Sequence, residues 1–211
     1  MWGFGPTRNS RTFSVTRAPK RRSNIEVMPW LIRHGETEWS LSGAHTGRTD
    51  IPLTPAGEEG ARKAGQELNG QEFSLVLTRP LRRATRTCEL AGYGDQAQID
   101  PNLTEWDYGQ YEGRTSEEIQ KQHPGWSIFR DGVEGGETIG QVAARAQDVI
   151  DRALRTEGDV ALFAHGHILR ILTACWLSLP PEDAKMFVLG TASISILGWE
   201  HEERAILRLN S

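Results

Sequence analysis

Two histidines of this chain occupy nearly the same setting. The apolar run "MPWLI" leads into Arg33-His34-Gly35, and the run "DVALFA" leads into His165-Gly166-His167. A third run, "SLVLT", ends just before Arg79, Arg82 and Arg83. If the three runs are neighbouring strands, two imidazoles and at least two guanidiniums meet at one edge of a sheet. Arginine forks match the non-bridging oxygens of a phosphoryl group. A neutral imidazole held in line with phosphorus attacks it and forms a phosphohistidine. The arginines and the second histidine then stabilise the charge of the transition state.

The departing alkoxide needs a proton, so a carboxylic acid is expected nearby. The stretch "NLTEWDYGQYEG" offers Glu105 and Asp107 in a loop rich in Trp, Tyr and Gly. Aromatic neighbours would raise a carboxyl pKa by desolvation. Two of the histidine and arginine clusters fall at strand-to-helix turns, where free backbone N–H groups favour an anion. Glycine after each histidine is expected to let backbone and ligand approach closely. The scheme needs no cofactor and no metal, and no Cys-x-x-Cys or His-Glu-x-x-His spacing is present. Taken singly, each group has an ordinary explanation: a solvated helix arginine, a surface acid, a core histidine. Their joint placement at strand ends argues for chemistry.

The elements that must position these groups alternate along the chain. "TPAGEEGARKAGQELNG" has helical spacing, with Pro55 near its first turn and Gly70 at its end. "PLRRATRTCELAG" follows "SLVLT" as a second helix. "TSEEIQKQH" opens with a Thr115-x-x-Glu118 capping box. "TIGQVAARAQDVIDRALR" places Ile139, Val142, Ala143, Ala146, Val149, Ile150, Ala153 and Leu154 on one helical face. "HILRILTACWLSL" reads as a buried helix too short and too interrupted to span a membrane, and "SISILGW" and "AILRLN" read as late strands. This order predicts an α/β three-layer sandwich with a mostly parallel central sheet flanked by helices. Ligands of such sheets sit beyond the carboxyl ends of the strands.

The chain has 211 residues, 37% of them hydrophobic and 25% charged, with a net charge of −4. Those values fit one soluble domain and give no overall basic charge for nucleic acid. An anionic ligand must therefore be drawn by local cations. Cys88 and Cys175 lie in helical segments and read as small buried hydrophobes. His123 and His201 lack the context of the other histidines and read as surface residues. Residues 1–26 carry Arg8, Arg11, Arg17, Lys20, Arg21 and Arg22, many Ser and Thr, and an acid only at Glu26. They form a basic extension outside the catalytic domain of residues 27–211. An organellar transit peptide, a basic tail and a non-native start before Met28 all fit its composition. The expected compartment is the cytoplasm, or an organelle if the extension is a transit peptide.

The motifs resemble those of the histidine phosphatase superfamily, also called phosphoglycerate-mutase-like. "LIRHGETEW", "HTGRTDIPLTPAGEEGARKAG", "TRPLRRATRTCEL", "LTEWDYGQYEGRT", "GGET" and "ALFAHGHILRIL" match its motifs in order, from about Val27 to Ser211. The resemblance implies that His34 is the nucleophile, that Arg33, Arg83 and His165 form the phosphate pocket with it, and that Glu105 donates the proton. Arg83 rather than Arg82 takes the family's arginine position, because it immediately precedes Ala84. Ser40 stands where the family often has asparagine, and Arg79 where it often has serine. Within the superfamily the motifs look most like small sugar-phosphate phosphatases, including sedoheptulose-bisphosphatase-like enzymes. On that likeness Ser40, His45, Thr46, Gly47, Arg48, Tyr108, Gly166, His167 and Arg170 would hold the rest of the substrate.

The expected activity is metal-independent hydrolysis of a small phosphorylated metabolite, with no nucleic-acid or membrane partner and with room for a homodimer. A phosphoglycerate mutase is the alternative, disfavoured because a mutase must protect its intermediate from water and the resemblance implies extra insertions for that. A non-catalytic phospho-ligand-binding protein is a distant third.

Overall fold

The computed structural model describes residues 27–211; the basic segment 1–26, with its three readings, lies outside the described residues. The strands are β1 (Pro29–Arg33), β2 (Leu75–Thr78), β3 (Ala97–Ile99), β4 (Val160–Ala164), β5 (Ile194–Glu200) and β6 (Glu203–Arg208). The helices are α1 (Glu38–Ser42), α2 (Pro55–Leu68), α3 (Arg82–Leu90), α4 (Ser116–Gln122), α5 (Ile128–Asp131), α6 (Ile139–Leu154) and α7 (Gly166–Trp176).

The strands form one sheet in the order β3-β2-β4-β1-β5-β6. β1, β2 and β3 join β4 in a parallel block, and β5 and β6 add antiparallel pairs at one side. β4 is buried at every residue, as expected for a central parallel strand covered on both faces. Side chains alternate between those faces. Leu31, Leu77, Val160 and Leu162 point into the core with α6 and α7, whereas Ile32, Val76, Ala161 and Phe163 point into the core with α2 and α3. The three-layer sandwich expected from the sequence is the fold of the chain.

Local chemistry sets the helix ends. Thr54 accepts from the Gly57 N–H and Pro55 follows at the first position, so α2 starts where the sequence predicts. Capping boxes open α4 at Thr115 and Glu118, and α6 at Thr138 and Gln141. Val142, Ala146, Val149, Ile150 and Ala153 form the buried stripe of α6. Cys88 and Cys175 are free thiols within α3 and α7. Strand β3 has no counterpart in the sequence reading. It is three residues long and mostly exposed, so pairing with β2 rather than any hydrophobic period makes it a strand. No helix among the described residues is long and apolar enough to cross a membrane.

Candidate active site

Strand register brings the two histidines together. Arg33 pairs with Ala164 across β1 and β4, so the next residue of each chain leaves the sheet at the same level. The His34 N–H extends the ladder to the Ala164 carbonyl at 2.9 Å. The imidazole centroids of His34 and His165 stand 5.2 Å apart. On the other side of β4, Thr78 pairs with Phe163, and the chain turns there into α3, whose first turn carries Arg83.

Hydrogen bonds fix both imidazoles. His34 Nδ1 lies 2.8 Å from the Gly35 carbonyl. A carbonyl only accepts, so the proton is on Nδ1 and the lone pair is on Nε2. The Gly35 N–H donates to Thr87 Oγ1 at 3.0 Å, and Thr87 in turn donates to the Arg83 carbonyl at 2.6 Å. Arg83 Nε donates to His165 Nδ1 at 3.1 Å, so the neutral ring of His165 carries its proton on Nε2. His165 Nε2 and Arg33 Nε are buried and have no hydrogen-bond partner. A buried N–H without an acceptor is costly, and an anion beside His34 would supply one.

Electrostatics keep these rings neutral. Burial pushes His34 well below the ordinary imidazole range, and Arg33 and Arg83 push it further. His165 is lowered well below that range for the same reasons, with Arg83 the foremost charge. A nucleophilic imidazole must be neutral, so burial beside cations favours attack.

Glu105 lies in the same cavity and is almost fully buried. The expected aromatic surroundings are present, since Trp106 beside it is fully buried. Its hydrogen bonds were not foreseen. The carboxyl oxygens accept from the backbone N–H groups of Trp106, His167 and Ile168, each at 3.0 Å. Two of those donors belong to the start of α7. They are taken by the Glu105 carboxyl of the chain itself, which corrects the expectation that they are free for a bound anion. Asp107, the other candidate acid, pairs with Arg48 at 2.7 Å outside the cavity.

Gly35 has another reason than ligand approach, whereas a side chain at Gly166 would meet only ordinary contacts. A Cβ on Gly35 would meet the Gly57 carbonyl oxygen at 2.3 Å, so Gly35 lets the turn pack on α2. A Cβ on Gly166 would lie 3.4 Å from the Arg33 guanidinium, which covers the start of α7.

Beyond His34 opens a cavity of about 440 Å³. Ser40, His45, Thr46, Tyr108, Gly166, His167 and Arg170, all expected from the sequence, line it. Gly47 and Arg48 do not. The Tyr108 hydroxyl shares a 2.7 Å hydrogen bond with His167 Nδ1. His45 stacks on Tyr108 with centroids 4.8 Å apart, and burial lowers its pKa to about 4. Arg170 donates to the carbonyls of Ala184 and Lys185 and lies over the Phe129 ring at 4.6 Å. Arg33 donates to the Leu189 carbonyl. The two arginines thus hold the segment after α7 against the cavity. Ser116, Gln120, Trp126 and Phe129 complete the wall and were not singled out from the sequence. Ser116 and Gln120 are four apart on α4, the spacing of one helical face, but that spacing alone carries no chemistry. Among the described residues no cluster of three or more His, Cys, Asp or Glu could hold a metal ion.

Comparison with known proteins places the chain in a family. Residues 29–211 match the histidine phosphatase superfamily (branch 1). An acid phosphatase of Mycobacterium tuberculosis is 39% identical over 180 residues, covering 83% of this chain and 88% of that protein. A sedoheptulose 1,7-bisphosphatase of Saccharomyces cerevisiae is 38% identical over 182 residues, covering 71% of this chain and 67% of that protein. The solved structure of a Mycobacterium tuberculosis open reading frame product superposes with a TM-score of 0.82 at 37% identity, over 87% of this chain and 96% of that one. The chain belongs to the histidine phosphatase superfamily, branch 1.

Proposed function

We propose that this protein hydrolyses phosphate monoesters of small metabolites, sugar phosphates among them, through a phosphohistidine on His34. One observation carries the reading. A lone-pair Nε2 on His34 and an unpartnered N–H on His165 belong to rings 5.2 Å apart, with the Arg33 guanidinium beside them. The relatives named acid phosphatase and sedoheptulose 1,7-bisphosphatase support the reaction class.

In the first step His34 Nε2 attacks phosphorus while the bond from phosphorus to the ester oxygen breaks. Glu105 gives its proton to that oxygen, and the alcohol leaves. In the second step water attacks phosphohistidine, Glu105 takes the proton back, and inorganic phosphate departs from a restored His34. Arg33 and the His165 N–H stabilise the non-bridging oxygens, and Arg83 adds its charge from behind His165, to which its Nε donates. The cavity has the size of a small-molecule site. Its hydroxyl, amide and imidazole groups suit a polyhydroxylated alcohol, and the rings of Trp126 and Phe129 suit the apolar faces of a sugar. The proposed partner is thus a small phosphorylated metabolite.

The test is phosphate release from an aryl phosphate and a panel of sugar mono- and bisphosphates, with and without chelator, beside His34→Ala. Release that vanishes in the variant and survives chelation is expected. Phosphoglycerate isomerisation faster than phosphate release would overturn hydrolysis in favour of mutase activity.

A further inference from the structure

Gly47 and Arg48 lie outside the substrate cavity, and the loop that carries them has another task. Arg83 Nη1 donates to the Thr49 carbonyl at 2.8 Å, and Nη2 donates to the carbonyls of Thr46 at 3.0 Å and Gly47 at 2.9 Å. These carbonyls hold the guanidinium in the orientation that aims its Nε at His165 Nδ1. A four-residue loop does not hold carbonyls inward unaided, because its amides need acceptors. Glu112 supplies them. Its Oε1 accepts from the N–H groups of Gly47 and Thr49 at 3.0 Å each, and its Oε2 accepts from Gly47 at 3.0 Å. A Cβ on Gly47 would fall 2.8 Å from Glu112 Oε2 and 2.6 Å from the Trp106 carbonyl oxygen. The loop is therefore seated tightly on the carboxylate.

We infer that Glu112 is a positioning residue for the phosphate site: through the Thr46–Thr49 loop it orients Arg83, and through Arg83 it fixes the proton of His165 on Nε2. Glu112 touches neither His34 nor His165 by any hydrogen bond, and it does not line the substrate cavity. Hydrogen bonds to a charged group are the stronger class, so the carboxylate rather than any polar group of similar size suits the role. The role rests on the phosphatase reading of the site.

The test compares wild type with Glu112→Gln and Glu112→Asp, with Glu118→Gln as a stability control from the nearby helix cap. Turnover of an aryl phosphate, competitive inhibition by inorganic phosphate, the acid limb of the pH profile and the ¹⁵N shifts of His165 are measured. Glu112→Gln should lose about tenfold in kcat/KM and in phosphate inhibition, the scale of a small misplacement of a reacting group. Its acid limb should move to higher pH. His165 is faced by Arg83 from α3, by Arg33 and His34 from the end of β1, and by Arg79 from the end of β2, all of which favour its neutral form. A loosened Arg83 removes the foremost of these charges. Its ¹⁵N shifts should pass from one tautomer to a mixture. Glu112→Asp should shift in the same direction by less, and decides the matter if Glu112→Gln does not fold. Values within twofold of wild type and an unmoved acid limb would overturn the inference, whatever the melting temperature. A wild type that releases no phosphate would sink the phosphatase reading, while the His165 tautomer would still judge Glu112.

Discussion

His34 Nδ1 donates to the carbonyl of its own neighbour Gly35 at 2.8 Å, and this short local bond leaves Nε2 as the free nucleophilic nitrogen. The phosphorylated intermediate should therefore carry phosphorus on Nε2. Rapid alkaline quenching during turnover followed by ³¹P NMR separates the two phosphohistidine isomers. Phosphorus on Nδ1 would mean that the ring turns over before attack.

Gly35 has no room for a side chain. Its added Cβ would meet the Gly57 carbonyl oxygen at 2.3 Å, and a Cβ on Gly57 would meet the Glu36 carbonyl oxygen at 2.1 Å. Gly35→Ala should cost about 1–3 kcal/mol of stability by overpacking and should displace His34. Urea unfolding and turnover are the measurements. A variant as stable and active as wild type would show that α2 yields without consequence.

Glu105→Gln keeps an acceptor for one of the two α7 amides, turns its NH2 toward the other, and has no carboxylic proton to give. Turnover of sugar phosphates, whose alkoxides leave poorly, should drop by about 10²–10⁴-fold. Aryl phosphates should lose far less, since phenolate leaves without full protonation. Equal losses on both substrates would remove Glu105 from the donor role.

Acid should destabilise the fold through its neutral histidines. His34, His165 and His167 are held well below the usual imidazole pKa by burial first and by nearby cations second, and His45 is lowered to about 4 by burial. Once the pH falls below the unfolded value near 6.5, the unfolded chain binds more protons than the folded one. Stability then falls as pH falls, by about 1.4 kcal/mol per pH unit for each such histidine. The loss due to His45 levels off near pH 4, where the folded form protonates as well. Denaturant titrations from about pH 7 to about pH 5 should show the decline. Stability that rises toward acid would contradict the burial of these rings as neutral species.

Much of the fold was legible because its signals are local. Pro55 and Thr115-x-x-Glu118 mark helix starts by the chemistry of a few adjacent residues, and the unbroken run Val160–Ala164 marks a central strand. β3 was illegible because its strand character comes from its partner. His34 and His165, expected to be catalytic, do converge with Arg33, Arg83 and Glu105. Yet the α7 amides expected to be free for a bound anion go to Glu105, and Gly35 serves packing on Gly57.

The sequence by itself determined the order of the longer strands and helices and the kinds of side chain at the strand ends, because these follow from neighbours along the chain. Only the tertiary structure decided which nitrogen of His165 bears a proton, which residues share the cavity and what the loop at Gly47 holds. Those outcomes depend on partners far apart in sequence, 82 residues between Arg83 and His165 and 65 between Gly47 and Glu112. Such partners meet only once strand register and helix packing have fixed the path of the chain.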